Sequence, residues 1–352
     1  MSESKRGFMQ SSMAQLTLVR FREFIRQPEA VFWTFVFPIL LAVGLGLAFR
    51  SKAPDKSKIG IVTSTPAAAS IAASLKKDSM LIVEEMTDSA AARALRTAKV
   101  ALLVVPDGNG VRYVYDPQRN ESAFARLVTD RAIQGAAGRT DPVTVSERRV
   151  TERGSRYIDF VIPGLLGMNL MGSGVWGIGF AIVDSRGKRL LKRFMATPMS
   201  RAEYLMSFLF SRLFFLILEV ITLLGFGALA FGVPMRGSLI QLGVICLLSA
   251  LSFSALGLLI ASRAKTVEGV SGLMNFVMMP MWIFSGVFFS SSNFPRVVQP
   301  IIKALPLTSV NDALRANMLE GTQITALGVE MAVIIGWLVI SFVLALKLFR
   351  WR

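Results

Sequence analysis

Glu219 stands between Leu218 and Val220 inside a long apolar run, and Asn169 and Asn275 sit inside two others. A polar group in such surroundings is expensive, so it either hydrogen-bonds a neighbouring helix or acts on something that passes by. For Glu219 both readings stand: a structural hydrogen bond, or a direct substrate or gating role. Arg212 lies two turns earlier and is expected to reach it only through a bridging group, which points to a partner on another helix. Asn169 and Asn275 suit hydrogen bonds between helices. Asp159 and Asp312 lie near the outer face and read as solvated or capping residues.

Few other residues could do chemistry. The chain has no histidine and one cysteine, Cys246, itself inside an apolar run. Ser-His and Cys-His nucleophiles, histidine bases and the common zinc and haem ligand sets are therefore excluded, and no disulfide can form within the chain. No carboxylates, histidines or cysteines cluster in the apolar runs, so neither covalent catalysis nor a metal is expected. A phosphate loop of the form Gly-x-x-x-x-Gly-Lys-Ser/Thr is absent. Gly172-Ser-Gly174-Val-Trp-Gly177 does fit Gly-x-Gly-x-x-Gly, but no strand precedes it and the surroundings are apolar. Close helix packing is the better reading than dinucleotide binding. With Gly164, Gly167 and Gly179 these glycines give a small-residue face, suited to a protomer contact, a moving helix interface or packing within one bundle.

The elements that position these residues are set by where charge is missing. Of 352 residues 53% are hydrophobic and only 18% charged, and the charges avoid six runs long enough to cross a bilayer. The runs are residues 31–49, 160–183, 205–231, 239–261, 270–289 and 324–348. Residues 1–30 interleave Leu16, Val19, Phe24 and Ile25 with Arg20, Arg22 and Arg26, the pattern of an amphipathic helix on a membrane surface. The first run starts late, and no small-residue cleavage pattern follows it, so it is read as a retained span. Residues 50–157 change character, with frequent charges and short apolar runs. Strands are expected over 58–63, 101–105 and 111–115, and helices over 67–77, 89–99 and 121–137. Residues 290–323 are broken by Pro295, Pro300 and Pro306 and predict short helices that dip partway into the membrane and line or cap a pathway.

The formal charge of +16 would suggest nucleic acid in a soluble chain, but here its distribution sets topology instead. Sixteen lysines and arginines fall in segments 1–30, 184–203, 262–269 and the C-terminal end from Lys347 onward, against four in the alternate short loops. Both termini are therefore expected in the cytoplasm and the inserted domain outside. The fold class is a mostly α membrane protein, a six-helix transmembrane bundle with an inserted α/β extracytoplasmic domain. A bacterial inner membrane is the expected location, and an archaeal one is equally compatible.

The stretch from Asp184 to Tyr204 carries more than topology. Arg186, Lys188, Arg189, Lys192 and Arg193 precede or interleave with Leu190, Leu191, Phe194 and Met195, ahead of Thr197-Pro198. A short amphipathic helix of this kind can offer an apolar knob ringed by cations to a partner's groove, or bind anionic lipid headgroups. The sequence of a basic run, Leu190-Leu191, Ala196-Thr197-Pro198 and Ser200-Arg201 resembles the signature of ABC type-2 transporter permeases. The amphipathic N-terminal segment, the large domain after the first span, Pro163-Gly164 at the start of the second and the broken segment before the sixth extend the resemblance over nearly the whole chain.

That resemblance implies a function. Residues 184–203 would be the coupling helix that docks on a separate nucleotide-binding subunit, with Arg186, Lys188, Arg189, Leu191, Lys192, Arg193, Thr197 and Pro198 as contributors. ATP and Mg would bind on that subunit and no cofactor on this chain. Two permease protomers, identical or different, would enclose a pathway for an amphipathic drug, lipid or glycan-like molecule leaving the cell. Membrane lipid is a further expected partner. The alternatives are an ATP-independent secondary transporter or a membrane anchor that displays the external domain.

Overall fold

The computed structural model describes residues 18–19, 21–22, 24–49, 56–63, 65–107, 110–139, 154–187, 201–264 and 266–348. The chain divides into two compact units, residues 51–150 and residues 1–50 with 151–352.

The smaller unit is an α/β fold. Strands β1 (Ser57–Val62), β2 (Leu81–Met86), β3 (Leu102–Asp107) and β4 (Gly110–Val114) form one sheet in the order β2-β1-β3-β4. The first three are parallel and β4 is antiparallel to β3. Parallel strands need crossovers, here the helices α2 (Ala67–Leu75) and α3 (Asp88–Arg96). α2 and α4 (Asn120–Ala136) supply Ala68, Ala72, Leu75 and Ala125 against Ile59, Ile61, Leu102 and Val104 on one face of the sheet. α3 supplies Ala91 and Ala94 against Val62, Val100 and Leu103 on the other. Strand β2 was not expected. Its Leu-Ile-Val-Glu-Glu-Met follows neither a clean alternation nor a wholly apolar run, because it lies at the sheet edge with a mixed burial pattern.

Among the described residues the larger unit holds six helices long and apolar enough to cross a membrane: α1 (Pro28–Ala48), α5 (Tyr157–Gly187), α6 (Arg201–Phe231), α7 (Leu239–Ala261), α8 (Val267–Phe284) and α11 (Gly328–Leu348). Between α8 and α11 come short pieces only, including α9 (Gln299–Ala304) and α10 (Pro306–Arg315). The fifth span ends at Phe284 rather than Phe289, because Gly286 takes a left-handed φ of +72° that stops the helix. The sixth starts at Gly328 rather than Ile324, after a 3-10 turn at Ile324–Ala326.

α5 is the hub, packed against α1, α6, α7, α8 and α10. Val161, Ile162, Leu165, Leu166, Leu170, Met171 and Val175 are all fully buried along it. A helix apolar on every side is stable only when surrounded. The small-residue face resolves mainly into packing within this bundle. A Cβ on Gly174 would lie 2.8 Å from Phe253 Cβ, one on Gly257 of α7 would lie 2.5 Å from the Val175 carbonyl oxygen, and one on Gly164 would lie 2.5 Å from the Val287 carbonyl oxygen. Around Gly172 and Gly177 a Cβ would meet nothing within 4 Å.

These two environments give opposite expectations. Gly257→Val drives a side chain into rigid helix backbone, so it is expected to cost about 1–3 kcal/mol or more. Gly172→Ala meets open space and improves helix propensity by roughly 0.5–1 kcal/mol, so its thermal midpoint in detergent should hold or rise. Equal losses from both would show that the α5–α7 contact is not the tight one.

Candidate functional site

Glu219 has a direct partner on its own helix. Arg212 Nη1 donates to Glu219 Oε1 at 3.0 Å, which corrects the expectation that a bridging group was needed. Seven residues of helix rise about 10 Å. A glutamate that leans toward the helix N-terminus and an arginine that reaches forward close that gap. A second helix completes the site. Ser173 of α5 accepts from Arg212 Nη2 at 2.9 Å, and its oxygen lies 2.9 Å from Glu219 Oε2 and 2.7 Å from the Asn169 carbonyl oxygen. With one hydroxyl proton, Ser173 donates to only one of those two acceptors at a time.

The pair is almost fully enclosed, at 1% exposure for the Glu219 side chain and 13% for that of Arg212. Arg212 Nε finds no acceptor among the described residues. Burying two opposite charges gains little net stability, but removing one strands the other. The site is therefore a neutral ion pair tied to α5 by a switchable hydroxyl. Only Glu219 was singled out from sequence. Arg212 was dismissed on distance, and a serine in a glycine-rich helix carries no signal.

Asn169 serves α1. Its Nδ2 donates to the Thr34 carbonyl oxygen at 3.0 Å. The reason lies in Pro38, which has no N–H to give to the carbonyl four residues earlier, and that carbonyl is Thr34's. Around it the helix widens into a π turn at Phe32–Val36, with Phe37 N bonded to the Phe32 carbonyl oxygen. Asn275, by contrast, has an exposed side chain on α8.

At the end of the bundle where α5 begins, three side chains hold the irregular turn after α8. Asn311 Nδ2 donates to the Ser285 carbonyl oxygen at 2.8 Å, Arg315 Nη2 to that of Gly286, and Tyr157 Oη to that of Phe288 at 2.7 Å. Arg315 also stacks 3.6 Å over the Phe160 ring and pairs with Asp312 at 3.7 Å. Burial pushes the Arg315 guanidinium down to about 10, opposed by the Asp312 carboxylate, so it stays charged at neutral pH. Asp159 is not solvated. It is fully buried and reaches back from the first turn of α5 to the Arg156 backbone N–H at 3.1 Å, the carboxylate half of a capping box, while pairing with the Arg156 guanidinium at 2.7 Å.

Of the coupling residues, Arg186 lies within the last turn of α5, and nothing is described of its side chain. Lys188, Arg189, Leu191, Lys192, Arg193, Thr197 and Pro198 lie outside the described residues. Among the described residues no group of acidic, histidine and cysteine side chains could hold a metal.

The family model described as "ABC-2 family transporter protein" matches residues 29–350. Among curated proteins the chain is similar to "Probable multidrug ABC transporter permease YbhS" of Escherichia coli (strain K12), 24% identical over 163 residues. That match covers 46% of this chain and 43% of YbhS, so the chain spans less than half the length of that relative. It is also similar to "Inner membrane transport permease YadH" of the same strain, 24% identical over 197 residues, or 54% of this chain and 75% of YadH.

Two expectations follow from the geometry. Arg212→Met or Glu219→Leu alone should lower stability by about 3–5 kcal/mol, and the double substitution should recover most of the loss, read as thermal midpoints in detergent. Additive losses would break the pairing. Asn169→Ala should cost about 1–3 kcal/mol by leaving the Thr34 carbonyl unanswered. In a Pro38→Ala background, which restores the helical donor, the same change should cost markedly less.

Proposed function

The chain belongs to the ABC-2 transporter family, and from that premise we propose that it is the membrane-spanning permease of an ATP-driven exporter in the cell's inner membrane. ATP and Mg are bound by a separate nucleotide-binding subunit, and two permease protomers form the pathway. The observation that carries this reading is the length of α5 and α6. Each has 31 residues, about 46 Å, against a hydrocarbon core of about 30 Å. At the end they share, the two helices carry polar residues beyond their apolar runs, Asp184-Ser-Arg-Gly187 closing α5 and Arg201-Ala-Glu203 opening α6. The segment joining them, residues 188–200, is the basic stretch with Leu190, Leu191, Phe194 and Met195. Two long helices that lead into a cationic stretch with apolar residues are suited to receiving a push from a soluble ATPase and passing it into the bundle.

Inside the bundle the push meets α5 at the Arg212–Glu219–Ser173 site. The hydroxyl has two acceptors within reach, the Asn169 carbonyl and Glu219, so it can exchange one for the other as α5 and α6 shift. The cargo class is amphipathic: a drug, lipid or glycan-like molecule. The spans support this by exposing apolar surface with few charges, and the word multidrug in the name of YbhS agrees with it. The positive segments 1–30, 184–203 and 262–269 support cytoplasmic placement of both termini and of the knob.

The test is copurification of the tagged chain with the ATPase encoded beside it. The wild type is expected to retain the ATPase, and a Leu191→Asp, Arg193→Glu variant is expected to lose it while keeping its own thermal midpoint. Retention by a correctly folded variant would remove this loop from the docking site. Absence of any ATPase from the wild type would remove the exporter mechanism.

A further inference from the structure

Beside the first span lies an apolar hollow of about 540 Å³ that the export mechanism does not use. One wall is Phe21, Phe24 and Ile25 of the helical segment before α1, with Pro28, the first residue of α1, beside them. Arg26 N bonds to the Arg22 carbonyl oxygen at 3.1 Å, which fixes that segment as helical. The second wall is Phe32, Phe35 and Val36, all from the widened turn Phe32–Val36. The third is Phe215, Leu218 and Thr222 of α6.

The rings brace each other: Phe24 lies 4.3 Å from Phe215 and 6.2 Å from Phe35 between centroids, and Phe21 5.1 Å from Phe214. The hollow is open: Ile25 is 55% exposed and Phe32 39%. A π turn of this kind often marks a functional position, and here it moves two phenylalanines and a valine into one wall. On the rim, Arg22 and Arg26 are exposed one turn apart, each next in sequence to a wall residue, with exposed Glu29 one turn further on. Among the described residues the rim is therefore net positive, while the hollow is apolar. An acyl chain satisfies the hollow, and a phosphate satisfies two guanidiniums.

We propose that this groove seats one anionic glycerophospholipid of the surrounding leaflet, with an acyl chain against the phenylalanine walls and its phosphate between Arg22 and Arg26. The lipid would fill the space that the Pro38-induced turn opens beside α1 and pin the helical segment to the membrane surface.

The test is native mass spectrometry of the full chain in detergent, titrated with equal amounts of dioleoylphosphatidylglycerol and dioleoylphosphatidylcholine. The first lipid bound is expected to be phosphatidylglycerol by about tenfold. Arg22→Gln, Arg26→Gln should bring the ratio close to one, and Arg22→Lys, Arg26→Lys should preserve it. Leu218→Trp, or Thr222→Trp if the first does not fold, fills the groove and should weaken the first binding of both lipids. An equal preference in the wild type, an unchanged ratio in the glutamine variant, or unchanged binding by a folded tryptophan variant would overturn the proposal. So would a dimer without bound lipid, in which a second copy covers the groove.

Discussion

A backbone carbonyl or a charge inside this bundle is costly unless another part of the chain answers it, and side chains from neighbouring elements do so at several points. That constraint organises the larger unit. Pro38 takes a donor away from the Thr34 carbonyl, and Asn169 of α5 replaces it. Arg212 and Glu219 answer each other, and Ser173 of α5 supplies the contact from the second helix. The turn after α8 leaves carbonyls at Ser285, Gly286 and Phe288, and Asn311, Arg315 and Tyr157 take them in order. Most of these repairs pass through α5, whose glycines let neighbouring backbones come close enough for short side chains to reach across. The hub position of α5 is thus the result of two demands met by one helix: apolar on all sides, and small where it is crossed.

Much of the architecture was legible in the sequence because bilayer length and helical periodicity leave few options. The six spans followed from uninterrupted apolar runs, and the α/β insertion from the change at residue 50 and its alternating strand-like and helix-like segments. Span ends were less legible, since Phe288 and Phe289 look as apolar as the helix before them and only the left-handed Gly286 separates the two. β2 was missed because an edge strand with both buried and exposed positions shows no clear period.

The polar site was half legible. Glu219 and Asn169 stood out by being costly where they are, which marks a position without naming its partner. Pro38 announces a carbonyl in need of a donor, but which helix supplies the donor is a fact of packing. Arg212 was misjudged by treating seven residues as too far, when two long side chains span two turns. Ser173 and Arg315 carried no signal, because a serine among glycines and an arginine in a loop look ordinary until the fold places them.

In the proposed exporter the two longest helices are the mechanical link: α5 carries most of the polar repairs of the bundle at one level and leads into the basic stretch at another. Motion at the knob would therefore reach the Arg212–Glu219–Ser173 contact along rigid helix rather than through loops. The most direct measurement is cross-linking in inside-out vesicles, with Cys246 replaced by alanine and a single cysteine placed at position 191, in the presence of the neighbouring ATPase. A thiol-directed cross-link to the ATPase whose yield changes with ATP is the predicted result. A position 191 thiol that is labelled only from the opposite side of the membrane, or that never cross-links to the ATPase while both proteins are present, would contradict the account.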